Sequence, residues 1–339
     1  MLVHHYHFGK EGGAEKFFVA LAEGLWEAGV QQNITMRPDR SWEKSVAQHA
    51  DLEFSNFRKL HWDRVLLPLK VKRKAKAQKP DAIMCWMPNA ARLILDGITC
   101  QKFVRLGDYP TDLSYLKNID TIICNTLGIA AHVEKLGWTK PTKVISNFTS
   151  VTKSVPVKRS DYDTPDDAFL VCATGRFVKR KGIDVVLKAV GLLENAYLWV
   201  CGDGEQNEDL HQLSHDLGIA GRVRFLGWQN NPMPFVAASD AYVAASSHEP
   251  FGNVILEAWK QEVPVVSTRS EGPSWFMEGG VDGLMTDIGD YAEIAKKLQS
   301  IQADKSLSNT LVAGGLSKLE SKFSKQAIVG EYMNAFRTS

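Results

Sequence analysis

Short β-type runs alternate with amphipathic helix patterns along most of this chain, and that alternation constrains the fold more than any other feature. Such a chain buries its strands in parallel sheets covered by helices. In the first half the expected strands are Leu2–Phe8, Asn33–Met36, Ala82–Trp86, Phe103–Leu106, Thr121–Cys124 and Lys143–Ser146. The first is followed by a helix expected over Ala14–Ala28. Its Phe17, Phe18, Leu21, Leu25 and Ala28 recur at helical spacing, and Gly29 stops it.

The pattern breaks near residue 150. The stretch SVTKSVPVKRSDYDTPDD has two prolines, many Ser, Thr and Asp, and little apolar periodicity, so it reads as an inter-domain linker. The alternation then restarts with strands expected at Phe169–Thr174, Tyr197–Cys201, Val223–Leu226, Ala241–Ala245 and Val263–Ser267. Helices are expected at Ile183–Leu193, Glu205–Leu217, Pro234–Ser239, Gly252–Lys260 and from Tyr291 onward. The expected fold class is α/β, with two doubly wound Rossmann-like domains in series. Ligands in such folds bind at the carboxyl ends of the strands.

Composition narrows the class. The chain has 339 residues, 44% hydrophobic and 23% charged, which suits two globular domains and excludes general disorder. No run of 18 uncharged apolar residues predicts a membrane span, and MLVHHYHFGKEGG lacks the pattern of a secretory signal. Five scattered cysteines without a C-x-x-C pair argue for a reducing compartment and against zinc or disulfides; Cys85, Cys124 and Cys201 read as core residues. Residues 1–150 hold 21 Lys and Arg against 15 Asp and Glu, whereas residues 151–339 hold 19 against 24. A basic half joined to an acidic half suggests that the first meets something anionic.

Three loops could carry chemistry. In HEPFGNVILEAW, residues 248–259, Glu249 precedes a helix opened by Gly252 and Asn253, and Glu257 lies about one turn inside it. The helix start offers N–H groups to an anion, and carboxylates on either side could accept hydroxyl hydrogen bonds. That suits a ligand with phosphates in the middle and polyols at both ends. The alternative is a glutamate merely favoured by the helix dipole. In GRFVKRKG, residues 175–182, two glycines flank Arg176, Lys179, Arg180 and Lys181 after a strand. It reads as a phosphate-neutralising loop or as a solvated basic turn. GKEGGAEK, residues 9–16, places Gly12 and Gly13 at a helix start. It lacks both G-K-[ST] and G-x-G-x-x-G, so neither ATP nor a dinucleotide is supported, and a tight strand-to-helix turn is an equal reading. CGDGEQN at 201–207 is a weaker G-x-G.

Together these loops resemble the retaining nucleotide-sugar glycosyltransferases of the GT-B architecture, the "glycosyl transferases group 1" family. The matches are the glycine pair Gly12 and Gly13, the loop Gly175, Arg176, Lys181 and Gly182, and the segment Gly202, Asp203 and Gly204. Phe225, Leu226 and Gly227 follow, and Glu249 and Glu257 form the E-x7-E signature around Pro250, Phe251 and Gly252. The resemblance implies two domains facing a cleft: an acceptor-side domain over 1–150, a nucleotide-sugar-binding domain over 151–320, and a terminal helix over 321–339 that packs back across them. It implies that Arg176 and Lys181 grip the donor diphosphate. Glu257 would hold the ribose hydroxyls, and Glu249 would face the donor sugar. The amides of Phe251, Gly252, Asn253 and Val254 would lie near sugar and phosphates, Gly227 and Trp228 beside the base, and Gly13 over the diphosphate. Gly12, Gly175, Gly202 and Gly204 complete the donor-binding set. No metal and no cofactor are implied, because cations and helix N-termini take the metal's place.

Two stretches depart from the family pattern. Where many relatives place a histidine near the reacting sugar, this chain reads RLGDYPTD, which puts Asp108 in that region as a candidate catalytic group. Where relatives often have G-G-x-x-E, it reads EGPSWFMEGG, whose aromatics either shape the sugar pocket or only pack.

Other features have plainer readings. His4, His5 and His7 are ordinary strand positions or, less readily, metal ligands. The segment 64–79, RVLLPLKVKRKAKAQK, is a solvated helix or helical hairpin face, or a contact with an anionic membrane surface. One basic stretch without a recognised motif argues against nucleic acid.

The expected protein is a cytoplasmic enzyme, peripheral to the inner face of the membrane if the basic segment binds there. It would move a hexose-type sugar from a UDP- or GDP-sugar to a glycan or lipid-linked acceptor with retention of configuration, in bacterial polysaccharide or glycolipid synthesis. A nucleotide-sugar epimerase of the same fold, a non-catalytic two-lobed sugar-binding protein and a membrane-recruited scaffold are the rival readings.

Overall fold

The computed structural model describes residues 1–10, 12–57 and 62–337, with residues 63 and 64 as backbone only. Residue 11 of the 9–16 loop, the Arg64 side chain and the last two residues of the 321–339 segment lie outside the described residues. The chain divides into two compact units, Met1–Ser150 with Phe323–Ser339, and Val151–Lys322.

The first unit runs β1 (Leu2–His7), α1 (Gly13–Glu27), β2 (Gln31–Met36), α2 (Glu43–Val46), β3 (Asp51–Phe54), α3 (Asp63–Gln78), β4 (Ala82–Cys85), β5 (Gln101–Leu106), β6 (Thr121–Cys124), α4 (Leu127–Lys135) and β7 (Thr142–Val144). Its sheet is wholly parallel in the order β3-β2-β1-β4-β5-β6-β7. Helices cover both faces, so the inner strands are apolar throughout rather than alternating. Along β4 the pleat sends Ala82 and Met84 into one core with Phe18, Leu21 and Ile34. Ile83 and Cys85 enter the other with Val104, Ile122 and Val133.

The second unit runs β8 (Phe169–Thr174), α5 (Ile183–Gly191), β9 (Ala196–Cys201), α6 (Asn207–Asp216), β10 (Val223–Phe225), α7 (Met233–Ala237) and β11 (Ala241–Ala244). Then follow α8 (Asn253–Lys260), β12 (Val265–Thr268), α9 (Glu271–Phe276), β13 (Leu284–Thr286), α10 (Tyr291–Ala303) and α11 (Lys305–Lys322). Its parallel sheet has the order β10-β9-β8-β11-β12-β13. The order reverses between β8 and β11, and such a switch point opens a crevice at the strands' carboxyl ends. The loops leaving these two strands are GRFVKRKG and the loop holding Glu249.

The last helix, α12 (Lys325–Arg337), belongs to the first unit. Tyr332 and Phe336 are buried beside Phe17, Trp86 and Phe103. A Cβ at Gly24 of α1 would stand 2.6 Å from Val329, so the helix pair needs glycine there to approach this closely. Lys325 also pairs with Glu27 at 2.8 Å and Glu23 at 3.3 Å.

Several elements differ from expectation. β3, reading DLEF, is an edge strand with mostly exposed side chains, so it carries no apolar run to betray it. β13 and α9 are short elements that periodicity does not reveal. The segment expected as a linker is fastened to the second unit rather than swinging free. The Arg159 guanidinium donates to the carbonyls of Ala238 and Ala168, and the Gln261 amide meets the Ser154 N–H and the Thr152 carbonyl. The basic segment forms one helix, α3, which buries Leu67, Val71 and Ala75 and exposes Val65, Leu66, Leu69, Lys70 and Arg73.

The three histidines of β1 are buried. His5 Nδ1 accepts from the Trp86 indole at 3.1 Å and His7 Nδ1 from the Gly9 N–H at 3.1 Å. Burial lowers His4 to about 4 and His5 and His7 to about 3. They are neutral core side chains at physiological pH.

Candidate active site

The loop leaving β8 is held from beneath by backbone. The Phe177 N–H donates to the Asp203 carbonyl at 2.8 Å, its own carbonyl accepts from Gln206, and its ring packs edge-on against Phe225. A Cβ at Gly202 would lie 1.9 Å from the Gly175 carbonyl oxygen, and one at Gly204 2.6 Å from that of Phe177. The G-D-G segment therefore needs glycine because the 175–177 loop lies directly against it. Sequence reasoning missed the anchoring role of Phe177, since an apolar residue among cations gives no sign of what it touches.

From this seat the loop turns through Lys179–Lys181, and Gly182 closes it at φ 65°. A Cβ there would meet the Ala245 carbonyl at 2.2 Å. The turn is thus pressed against the end of β11, and the Ser247 N–H donates to the Arg180 carbonyl at 2.9 Å. Lys181 Nζ reaches Glu249 Oε2 at 2.5 Å, with both side chains mostly buried. Ser246 Oγ adds a longer contact of 3.4 Å to the same carboxylate oxygen. Arg176 is exposed on the loop.

The Glu249 loop passes through buried Phe251 to Gly252, whose φ of 102° starts α8 without a side-chain cap. Asn253 and Val254 form the first turn, and Glu257 lies on the half-exposed side of the helix. A cation, a carboxylate and the positive end of a helix therefore meet at the switch point of this unit. On the same sheet rim, Gly227 at φ 66° follows β10, and its carbonyl accepts from the Gly202 N–H at 2.8 Å. Trp228 beside it is 63% exposed.

In the first unit Gly12 and Gly13 open α1, again without a side-chain cap. Glu15 is buried behind them in the helix's first turn. Asp108 is exposed after β5 and accepts from the Tyr109 N–H at 2.8 Å.

Three further residues of the second unit, Glu271, Trp275 and Phe276, reach the Glu249 loop. His248 Nδ1 lies 2.8 Å from Glu271 Oε1, and the Glu249 N–H donates to Glu271 Oε2 at 3.1 Å. These hydrogen bonds hold the Glu271 carboxyl below the usual carboxylate range, against the opposing effect of desolvation. Trp275 and Phe276 pack against Phe251, with ring centroids at 6.2 and 5.4 Å. The aromatics of EGPSWFMEGG thus support the Glu249 loop from the side. Glu271 follows β12, 22 residues beyond Glu249, and only the adjacency of β11 and β12 brings the two together.

Two Rossmann-like units, one with a cationic loop and a glutamate loop at its switch point, define a glycosyltransferase of the GT-B class. Residues 154–318 match the family "Glycosyl transferases group 1". The chain is 51% identical over 333 residues to the lipopolysaccharide core biosynthesis glycosyltransferase LpsE of Rhizobium meliloti, covering 98% of each chain. It is 44% identical to LpsD of the same organism, covering 99% of this chain and 98% of that one. The protein belongs to the glycosyl transferases group 1 family. Its fold is similar to that of Anabaena Alr3699/HepE in complex with UDP, with a TM-score of 0.86, 22% identity and full coverage of both chains.

Proposed function

We propose that this enzyme transfers a hexose-type sugar from a UDP- or GDP-sugar to a glycan or lipid-linked acceptor, with retention of configuration, in the synthesis of a lipopolysaccharide core. The observation that carries this reading is the meeting of Lys181, Glu249 and the start of α8 at one switch point. The names of the two Rhizobium relatives support the pathway, and the UDP bound by the Anabaena protein supports a uridine donor.

In the proposed reaction the bond between the sugar's anomeric carbon and the diphosphate oxygen breaks. A bond to the acceptor oxygen forms on the same face, and the acceptor's hydroxyl proton passes to the departing phosphate oxygen. Charge grows on the diphosphate, where Lys181, Arg176 and the α8 N-terminus stabilise it most in the transition state. Glu257 holds the ribose hydroxyls and Glu249 the donor sugar. Asp108 assists from the first unit. Gly12 and Gly13 let the donor approach α1, and Trp228 flanks the base. No metal or cofactor is needed in this scheme, because fixed cations meet the phosphate charge.

A thermal-shift panel of UDP-glucose, UDP-galactose, UDP-N-acetylglucosamine and GDP-mannose, run with and without EDTA, tests the reading. Ligand that binds the folded state raises the melting temperature with its concentration. A rise with at least one nucleotide sugar, unchanged by EDTA, is expected. No rise with any, or binding of free sugar alone, would defeat the proposal. NMR of the products separates transfer from epimerisation, which converts the donor without an acceptor.

We also propose peripheral contact with an anionic membrane surface through residues 64–79. Among the described residues no helix is long and apolar enough to cross a membrane. Instead α3 exposes Val65, Leu66 and Leu69 beside Lys70, Arg73 and Lys76, next to a Trp62 that is 80% exposed. Each cation near an anionic leaflet contributes about 1 kcal/mol, screened by salt. The protein is expected to pellet with phosphatidylglycerol vesicles at low salt and to stay in solution with phosphatidylcholine or at high salt. Equal recovery in solution under all three conditions would remove the contact.

A further inference from the structure

We infer that Glu271 is a positioning residue for Glu249, holding the main chain of the glutamate loop in place for sugar transfer. The inference rests on the glycosyltransfer reading and adds a residue outside the E-x7-E signature.

Glu249 has both of its main-chain polar groups tied to the segment that follows β12. Its N–H donates to Glu271 Oε2 at 3.1 Å, and its carbonyl accepts from the Gly272 N–H at 2.9 Å. The other oxygen of Glu271 lies 2.8 Å from His248 Nδ1, so a single carboxylate spans two consecutive residues of the loop. Gly272 permits this closeness, since a Cβ there would stand 2.2 Å from the Phe251 carbonyl oxygen. Below them, Thr268 Oγ1 donates to the Ser246 carbonyl at 2.6 Å. The loop after β11 is therefore stitched to its neighbour on both sides of Glu249.

The side chain of Glu249 is held differently, by Lys181 from the loop after β8. An arriving diphosphate competes for that cation and loosens the pair. The clamp on the main chain does not involve Lys181, so it keeps Glu249 in place when the side chain is released. A displacement of about 1 Å at a reacting centre can cost on the order of 100-fold in rate. Glu271 is itself partly exposed, with 38% of its side chain accessible, and bonds at such sites contribute little to stability. Rate and stability are therefore expected to respond separately, which a purely structural role would not produce.

The test uses the full chain and the member of the nucleotide-sugar panel that gives the largest melting shift. Turnover is followed as transfer of the sugar from that donor to water, which releases free sugar and nucleoside diphosphate, so no other acceptor is required. Glu271→Ala is expected to lower kcat about tenfold, with donor KM within about twofold and the melting temperature nearly unchanged. Glu271→Gln is expected to recover activity to within about threefold, since its amide oxygen can accept from the Glu249 N–H and its amide nitrogen can serve His248 Nδ1 in the other tautomer. In a Glu249→Ala background, Glu271→Ala is expected to cost less than about twofold, because a residue acting through Glu249 has nothing left to position.

An equal loss in both backgrounds overturns the inference, as does a fall that appears in KM alone. If Glu271→Ala does not fold, Glu271→Asp replaces it. That shorter carboxylate cannot span both partners, and wild-type kcat in it would also overturn the idea. Should wild-type protein neither bind nor hydrolyse any member of the panel, the reading of function fails. Should wild type work and the cycle prove additive, only the role of Glu271 fails.

Discussion

Lys181→Ala is expected to lower turnover by about 100- to 1,000-fold, equivalent to about 2.7–4 kcal/mol of transition-state stabilisation. Its ammonium stands 2.5 Å from the Glu249 carboxylate, on a turn pressed against the end of β11 by Gly182. No other group described around Glu249 combines a positive charge with that degree of burial, 17% of the side chain being accessible. Exposed Arg176 is more heavily screened and is expected to matter less. Stability should change far less than rate. Losing the cation leaves Glu249 without its ion partner, but the carboxylate retains Ser246 Oγ and some access to water. The measurement is kcat and KM for donor turnover, with circular dichroism to confirm folding. Activity within about threefold of wild type would show that Lys181 does not meet the developing charge.

Removal of residues 323–339 is expected to unfold the first unit while leaving the second folded. The segment contributes Ile328, Val329, Tyr332, Ala335 and Phe336 to a core built with Phe17, Phe18, Leu21 and Trp86. At about 1.5–3 kcal/mol for each of the four larger side chains, about 6–12 kcal/mol of burial is lost. That is comparable to the whole stability of a domain, about 5–15 kcal/mol. The buried Arg105, whose guanidinium lies 4.7 Å from the Phe17 ring and 5.6 Å from that of Trp86, stands against the same core. Limited proteolysis followed by mass spectrometry checks this. The truncated chain should be cut throughout 1–150 and protected over 151–322, where a separate core surrounds Val171, Leu187, Leu198 and Val243. A truncated protein that melts as one transition near the full-length temperature would refute it.

The legible parts of the fold are those where local pattern and tertiary burial agree. β8 is present over the expected residues because FLVCAT is apolar on both faces and both faces are covered. α1 ends where Gly29, at φ 79°, allows the left-handed turn that stops it. β3 is illegible for the opposite reason: an edge strand exposed to water has no need of apolar residues. The nearby helix α3 was ambiguous because its buried stripe of Leu67, Val71 and Ala75 is narrow and its outward face is also partly apolar.

The candidate site divides in the same way. Glu249, Lys181, the glycines and Glu257 are legible because each lies in a loop, or in the helix that loop opens, with spacing set by one strand end and one helix start. Glu271 carries no such signal, although its segment stands out for its aromatics. Its partners His248 and Glu249 are 23 and 22 residues away along the chain, and hydrogen-bonding distance follows only once β12 lies beside β11.

The order of apolar, polar and glycine residues by itself determined the strand-and-helix alternation, the class of fold and the loops able to hold a phosphate, because backbone geometry and burial act over a few neighbouring residues. Tertiary structure alone decided that a helix following the second unit completes the core of the first. It also decided that the Glu271 carboxylate, just beyond one strand, meets the main chain of Glu249 beyond the neighbouring strand, because both depend on which distant segments the closed sheets bring together.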